Sequence, residues 1–415
     1  MSIKKKYLSI LTDFSGMEAT LHTHSYFLNK LKNHFDKIYI INNQNLKFFP
    51  IFARKLSFVS NDNLYNDDYK TLKFVREYPK NFEFYNPKSS KDLIEFVKDK
   101  ELIAISNIGR KLLDFKTHFL LKKLKIPQIQ VINLGIMTVG NKVSVKHVKL
   151  ALTFLINQIL GQKLFSLMCI LKILPQIDIQ FTSNQKIFTY INKNLFKKFL
   201  LKQKLFYAKE FIIVNSVPYD ISLDSKNLSE DYIVHLDASL DYAHETQLRG
   251  LIGKERKDRH YYYLEKFLKK LLNEFKKEVL VCIHPSYHLE EHQRYFKDFK
   301  VLKYKTRECV YKSFLVTTFD SGSIGDAIFL KKKILGFISD FMTRNEIIHA
   351  RNYAKRVGYL KLNTEKDYLF DKEKIVFQMN KNISNYEKYN ANFHCFEANK
   401  TGSDKIIKII KDRFF

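Results

Sequence analysis

Cysteine is scarce in this chain of 415 residues: Cys169, Cys282, Cys309 and Cys395 lie far apart. They form no Cys-x-x-Cys pair and none of the local Cys/His spacing of a zinc site, which points to a reducing compartment. Glycine is sparse too, with 12 residues, and the lysines are scattered among apolar residues with no Arg-rich arm or compact basic motif. Both features weigh against nucleic acid as the partner. Long clean apolar runs are missing. The stretch 147–174 comes nearest, but Lys149, Asn157, Gln158, Gln162, Lys163 and Lys172 break it short of the ~18–20 apolar residues of an ordinary spanning helix. The basic N-terminus is followed by Asp13 and Glu18 before any apolar core can develop, so export by a signal peptide is not expected.

Several catalytic motifs are absent as well. There is no Walker A sequence, no His-Glu-x-x-His and no Gly-x-Ser-x-Gly, which removes support for P-loop hydrolysis, zinc peptidase and esterase chemistry. Gly-x-Gly-x-x-Gly is also missing, which weakens a dinucleotide dehydrogenase.

What remains is a globular composition with one strong bias. Hydrophobic residues make up 45% and charged residues 27%, enough apolar content for two or three domains with real cores. Lys and Arg number 71 against 43 Asp and Glu, a formal net charge of +28. Such a charge favours anionic partners: nucleic acid, an acidic lipid surface or phosphorylated substrates.

Short β-branched and aromatic runs alternate with stretches of helical period, the pattern of an α/β protein with parallel sheets covered by helices. In the first half strands are expected at 7–11, 37–41, 56–59, 102–106, 128–134, 178–182 and 211–214. Helices are expected at 23–33, 92–98, 111–122 and 145–174, with a basic, helical stretch at 186–209. The Asn, Ser, Pro and Asp of 215–230 read as a loop and place a domain boundary there. A second series follows, with strands at 232–236, 279–283, 300–304, 314–318 and 333–338 and helices at 261–275, 307–312 and 323–330. The Ile406, Ile407, Ile409 and Ile410 stripe suits a terminal helix packing back on a neighbouring domain. The expectation is two Rossmann-like domains, 1–225 and 226–385, and a helical segment, 386–415, returning across them.

Ligands of open α/β sheets collect where strands end and helices begin, which selects the candidate residues. His284, before Pro285, ends one strand as a potential phosphate donor or as an incidental strand-end histidine. Ser321 and Ser323 flank Gly322 at a helix start, where they either cap the helix or bind an anionic phosphate. Lys303, Lys305 and Thr306 end another strand. Asp237 closes a strand as a hydroxyl acceptor or a turn residue. In the first half, Asp13 with Glu18, His22 and His24 occupies the first strand-to-helix loop, a position for a base and for acceptor contacts or, equally, for a cap and helix-surface histidines. The 148–174 segment and the seven lysines of 186–209 together allow either an interfacial helix against anionic lipid or a helix buried between domains.

Taken together, Tyr232-Ile-Val-His-Leu-Asp237, His284-Pro285, Lys305-Thr306 and Ser321-Gly-Ser323 followed by Asp326-Ala327 resemble the donor half of a bacterial GT-B surface-polysaccharide glycosyltransferase. Their order is similar to that in the polysialyltransferase and the capsule and lipooligosaccharide sialyltransferase families. The match covers about 231–340. Gly322 stands where those families carry a Ser or Thr, and Lys333 where they often carry Pro. The resemblance implies that His284, Ser321 and Ser323 contact the phosphate and ribose of a CMP-linked sugar, that Asp13 is the base, and that neither a metal nor a bound cofactor is needed. It further implies a surface-glycan acceptor, while the basic surface is expected to hold the protein near an anionic, lipid-linked acceptor at the cytoplasmic face, with peripheral contact to anionic inner-membrane lipid. A sugar-nucleotide epimerase, a CDP-polyol phosphotransferase and a non-catalytic polyanion-binding module are the alternatives.

Overall fold

The structure is a computed structural model describing residues 7–12, 25–46, 81–106, 108, 112–132, 161–184, 208–224, 230–237, 254–284, 289–319, 321–342, 344–366, 370–393 and 397–415. The expected strand at 56–59 and the basic stretch 186–207 lie outside the described residues, as do Asp13, His22 and His24. The chain forms two compact units: Met1–Asn133 with Leu152–Asp220 and Phe396–Phe415, and Leu134–Ala151 with Ile221–Cys395.

The first unit holds a seven-stranded parallel sheet of β1 (Tyr7–Thr12), β2 (Lys37–Asn42), β3 (Phe82–Tyr85), β4 (Leu102–Ser106), β5 (Gln128–Ile132), β6 (Ile177–Thr182) and β7 (Ala208–Ile213). Their order is β3-β2-β1-β4-β5-β6-β7. Continuous apolar runs such as Ile38 to Ile41 are buried throughout, because a parallel sheet covered on both faces needs apolar side chains in both directions. Helices α1 (Ser25–Leu31), α2 (Ser90–Val97), α3 (Phe115–Lys123) and α4 (Gly161–Ile170) accompany it, and the chain passes from the first unit to the second within α5 (Val217–Asp224). The last of these corrects the expected loop at 215–230. Ser216 Oγ accepts from Tyr219 N at 3.3 Å, and a proline in the first turn needs no backbone donor, so Ser-Val-Pro starts a helix.

The second unit has a six-stranded parallel sheet of β8 (Tyr232–Leu236), β9 (Val279–Ile283), β10 (Lys300–Lys303), β11 (Ser313–Thr318), β12 (Lys333–Ile338) and β13 (Leu360–Asn363), in the order β10-β9-β8-β11-β12-β13. Its helices are α6 (Lys254–Phe275), α7 (Leu289–Gln293), α8 (Thr306–Tyr311), α9 (Ile324–Phe329), α10 (Arg344–Val357), α11 (Lys372–Ile383) and α12 (Tyr386–Phe393). Alternation along the strands divides the core. Ile233, Val279, Val281 and Leu315 face the Leu264, Phe267, Leu268 and Leu271 stripe of α6. Val234, Leu280 and Val316 face Val310, Ile324, Ala327 and Ile328 on the other side.

The terminal helix α13 (Gly402–Phe414) belongs to the first unit, where Ile406, Ile407 and Ile410 join the core formed by Leu8, Ile38 and Ile103. Asp220 secures its start: one carboxylate oxygen accepts from Gly402 N at 2.7 Å and the other from Ser403 N at 2.8 Å. A carboxylate on the free N–H groups of a helix start meets both their hydrogen-bonding need and the helix dipole. A Cβ on Gly402 would lie 2.1 Å from the Asn215 carbonyl oxygen. Gly402→Ala is therefore expected to cost about 1–3 kcal/mol, as overpacking does, read as a lower urea midpoint at unchanged slope. An unchanged midpoint would show that the junction yields freely.

Candidate functional site

Both sheets begin in the middle, run to one edge and then reverse. In the second unit the reversal falls between β8 and β11. Ligands of doubly wound sheets sit outside the carboxyl ends of the strands at such a switch. Register brings the candidate residues to this edge: Thr318 lies opposite Leu236, Leu236 opposite Cys282, and Lys303 opposite Ile283. Asp237 N donates to Cys282 O at 2.9 Å. The chain thus leaves β8 into Asp237, β9 into His284, β10 into Lys305 and β11 into Ser321, all at one edge. Adjacent strands are about 4.8 Å apart, so the ends of β9 and β11 are separated by roughly 10 Å, with β8 between them.

Each residue occupies a distinct setting there. His284 is exposed immediately after buried Ile283. Beyond β11, Thr318 Oγ1 donates to Leu236 O at 3.2 Å and accepts from Ser321 N at 3.1 Å. Ser321 Oγ then accepts from Ser323 N at 3.3 Å. These bonds fix the turn. Ser323 caps α9 in position but makes no side-chain capping bond, so its hydroxyl is not consumed by the helix. Arg307 Nε donates to buried Asp326 at 3.2 Å, joining α8 to α9 behind the turn. Burial pushes the Asp326 carboxyl up, and the guanidinium partly reverses this.

On the next strand outward, Lys303 Nζ lies 5.1 Å from the Tyr304 ring centroid. Tyr304 has φ 63°, a left-handed conformation costly for a bulky side chain. Lys305 does not point to the switch alone: its ammonium pairs with Glu308 at 3.1 Å, and both are well exposed. Thr306 begins α8.

Asp237 departs most from its expected setting as a hydroxyl acceptor for ligand. It is only 3% exposed and faces inward. Its Oδ2 accepts from the Tyr261 hydroxyl at 3.2 Å and lies 3.2 Å from His292 Nε2. Its Oδ1 is 3.8 Å from His235 Nε2, an electrostatic approach too long for a hydrogen bond. His235 Nδ1 meets Thr317 Oγ1 at 3.0 Å, and Tyr261 Oη meets His292 Nε2 at 3.1 Å. Burial would push the Asp237 carboxyl up, but the flanking His235 and His292 imidazoles outweigh it and hold the carboxyl well below the usual range. His260 completes the cluster, with no hydrogen-bond partner on either ring nitrogen. Burial pushes its pKa down to about 4, against the pull of Asp237.

The sequence reading found Asp237 but missed Tyr261, His260 and His292. Their helices α6 and α7 carry no motif, and only the fold turns them toward β8. Among the described residues no group of three or more His, Cys, Asp or Glu is arranged to hold a metal ion.

No protein-family model matches the chain, and no curated protein matches its sequence. Solved structures do match it along almost its whole length. The wall teichoic acid polymerase TagF, solved with CDPG, aligns with a TM-score of 0.51 at 11% identity over 99% of this chain and 88% of that one. The UDP-GlcNAc 2-epimerase from Neisseria meningitidis bound to UDP-GlcNAc aligns at 0.48, with 11% identity over 98% of this chain and 100% of that one. Arabidopsis thaliana UGT89C1 complexed with UDP-L-rhamnose aligns at 0.48, with 10% identity over the full length of both. At such identities the likeness is one of fold: the chain consists of two parallel-sheet α/β domains of GT-B-like, Rossmann type.

Proposed function

We propose that the chain is a nucleotide-sugar-dependent glycosyltransferase that moves a sugar from a CMP-linked donor to a surface-glycan or lipid-linked acceptor. The observation that carries this reading is the emergence of His284 and Ser321-Gly-Ser323 on one carboxyl edge, from the strands on either side of β8. An imidazole and hydroxyls at such an edge are suited to a phosphate, and the GT-B-like fold is one on which TagF holds CDPG. His284 and the serines would stabilise the departing phosphate, electrostatic work that needs no metal in this scheme. Asp13 would accept the proton of the acceptor hydroxyl. Lys303, Lys305 and Thr306 would add donors along the same edge, and His22 and His24 would contact the acceptor. Catalysis at the inner membrane surface fits a chain of net charge +28 facing anionic lipid.

A melting panel with CMP, CDP, UDP and GDP tests the nucleotide. A ligand that binds only the native state at about a hundred times its Kd stabilises by about 2.7 kcal/mol. CMP and CDP are expected to raise the melting temperature by several degrees, and UDP and GDP to leave it unchanged. A rise with UDP alone would favour the epimerase alternative, which product analysis with CMP-sialic acid, UDP-N-acetylglucosamine and CDP-glycerol then separates from transfer.

A further inference from the structure

Helix α4 is apolar on both sides. Phe165, Ser166 and Cys169 face inward and are buried, while Leu164, Leu167 and Ile170 face outward. A helix on the surface of a globular domain normally turns polar residues outward. Leu171 and Ile173 extend the outward face, with Leu167 49% and Leu171 58% exposed. Helix α3 runs beside it: Phe115 and His118 pack on the Phe165 ring at 5.6 and 4.8 Å. Lys122 Nζ donates to the carbonyl oxygens of Lys172 and Ile173 at 2.6 and 3.0 Å. Phe119, exposed on the same helix, adds to the patch. Of the ten large hydrophobic side chains exposed among the described residues, six belong to this one surface, so it is a concentration and not ordinary scatter.

The surrounding charge has one sign. From Phe115 to Lys209 the sequence holds sixteen lysines, no arginine and a single acid, Asp178. That acid is paired with Lys209 at 2.5 Å. Lys122, Lys123, Lys125 and Lys172 are exposed around the patch. Protein interfaces favour Tyr, Trp and Arg and disfavour Lys, whereas this surface is Leu and Ile with a lysine rim. A second copy would bring two such rims together and repel. The chain immediately before α4 carries Lys142, Lys146 and Lys149 with no acid, and so has no counter-charge to offer. An anionic lipid surface accepts both the apolar centre and the cationic rim. Ten helical residues span about 15 Å, half a bilayer core, and no described helix is long and apolar enough to cross a membrane.

We propose that the outward face of α4, with Leu171, Ile173 and Phe119, is the surface by which this protein lies on anionic membranes. It gives a location to the membrane contact in the proposed function, but lipid binding requires neither donor nor turnover, so either can fail without the other.

The test uses the full chain in flotation assays with vesicles of phosphatidylcholine alone or mixed with phosphatidylglycerol. Binding is expected only to the mixed vesicles, and to weaken as salt rises. Leu167→Asp with Leu171→Asp should lower partitioning at least about tenfold. Lys123→Gln and Lys125→Gln should each lower it about fivefold. Because the chain contains no tryptophan, Leu171→Trp supplies a single reporter whose emission should move to the blue on mixed vesicles and be quenched by brominated lipid. That reporter decides the matter even if the double aspartate variant fails to fold. Wild-type partitioning in the aspartate variant, or an unshifted tryptophan, would overturn the proposal. So would a concentration-dependent dimer abolished by the aspartates, or a melting point lowered several degrees by them without lipid, since each would show that protein covers the face.

Discussion

His284→Ala is expected to reduce donor turnover by about two to three orders of magnitude, the usual loss when one electrostatic donor to a departing oxyanion is removed, while leaving the melting temperature within about a degree. The side chain is exposed, and substitutions of exposed groups generally stay within about 0.5 kcal/mol. The buried Val279–Ile283 strand anchors the segment. Ser323→Ala provides the companion measurement. Its hydroxyl makes no capping bond to α9, so stability should hold while turnover falls. Ser321→Ala differs because its hydroxyl accepts from Ser323 N, and a stability loss should accompany any kinetic one. Steady-state rates with CMP-linked donors, alongside melting curves, separate the three. Undiminished turnover in folded His284→Ala would leave the proposed phosphate site without its principal group.

The architecture was legible because parallel strands buried on both faces read as short continuous apolar runs. Residues 37–41, 102–106 and 279–283 are such runs, and each lies within an observed strand. Phe82–Tyr85 was not legible. It is four residues long, three aromatics and a glutamate, at the edge of its sheet with all four positions half-buried, so it lacks the fully buried aliphatic run that marks a central strand. The second series also continues beyond the expected Lys333–Ile338 strand into β13 and three helices. Leu360–Asn363 is an edge strand, half-buried throughout, and its Leu-Lys-Leu-Asn text resembles a surface loop. The candidate site divides along similar lines. Strand ends could be read from breaks in apolar text, and His284 and Ser321 follow the ends of β9 and β11 on the carboxyl edge of their sheet. Side-chain direction could not: nothing local to Asp237 reveals that Tyr261, 24 residues on, and His292, 55 residues on, close over it.

That closure makes acid the condition under which the second unit should fail, in two separable stages. His260 is buried with its pKa at about 4, against about 6.5 in an unfolded chain. As pH falls below about 6.5 the unfolded state takes up this proton and the native state does not, so stability declines until about pH 4, by roughly 3 kcal/mol in all. Tyr261 and Phe337 pack against this ring, and the Asp237 carboxylate opposes the shift without reversing it. The Asp237 stage has the same sign but a lower window. Its native carboxyl is held below the usual range, so its contribution is complete above the unfolded value of about 3.9 and is lost as pH falls further. His260→Phe should therefore flatten urea midpoints between pH 6.5 and 4 while leaving the steeper loss below pH 4. Asp237→Ala should remove the loss below pH 4 and, by taking away the carboxylate that raises His260, leave the decline between pH 6.5 and 4 at least as steep. It should also cost about 1–3 kcal/mol at neutral pH, because Tyr261 and His292 lose the buried acceptor they share. A slope unchanged by His260→Phe would mean that this imidazole reaches water in the native state. Midpoints unmoved by Asp237→Ala would mean that the inward-facing carboxylate does not hold the carboxyl edge of β8, and the rigidity of that edge would then have to come from the backbone bond between Asp237 and Cys282.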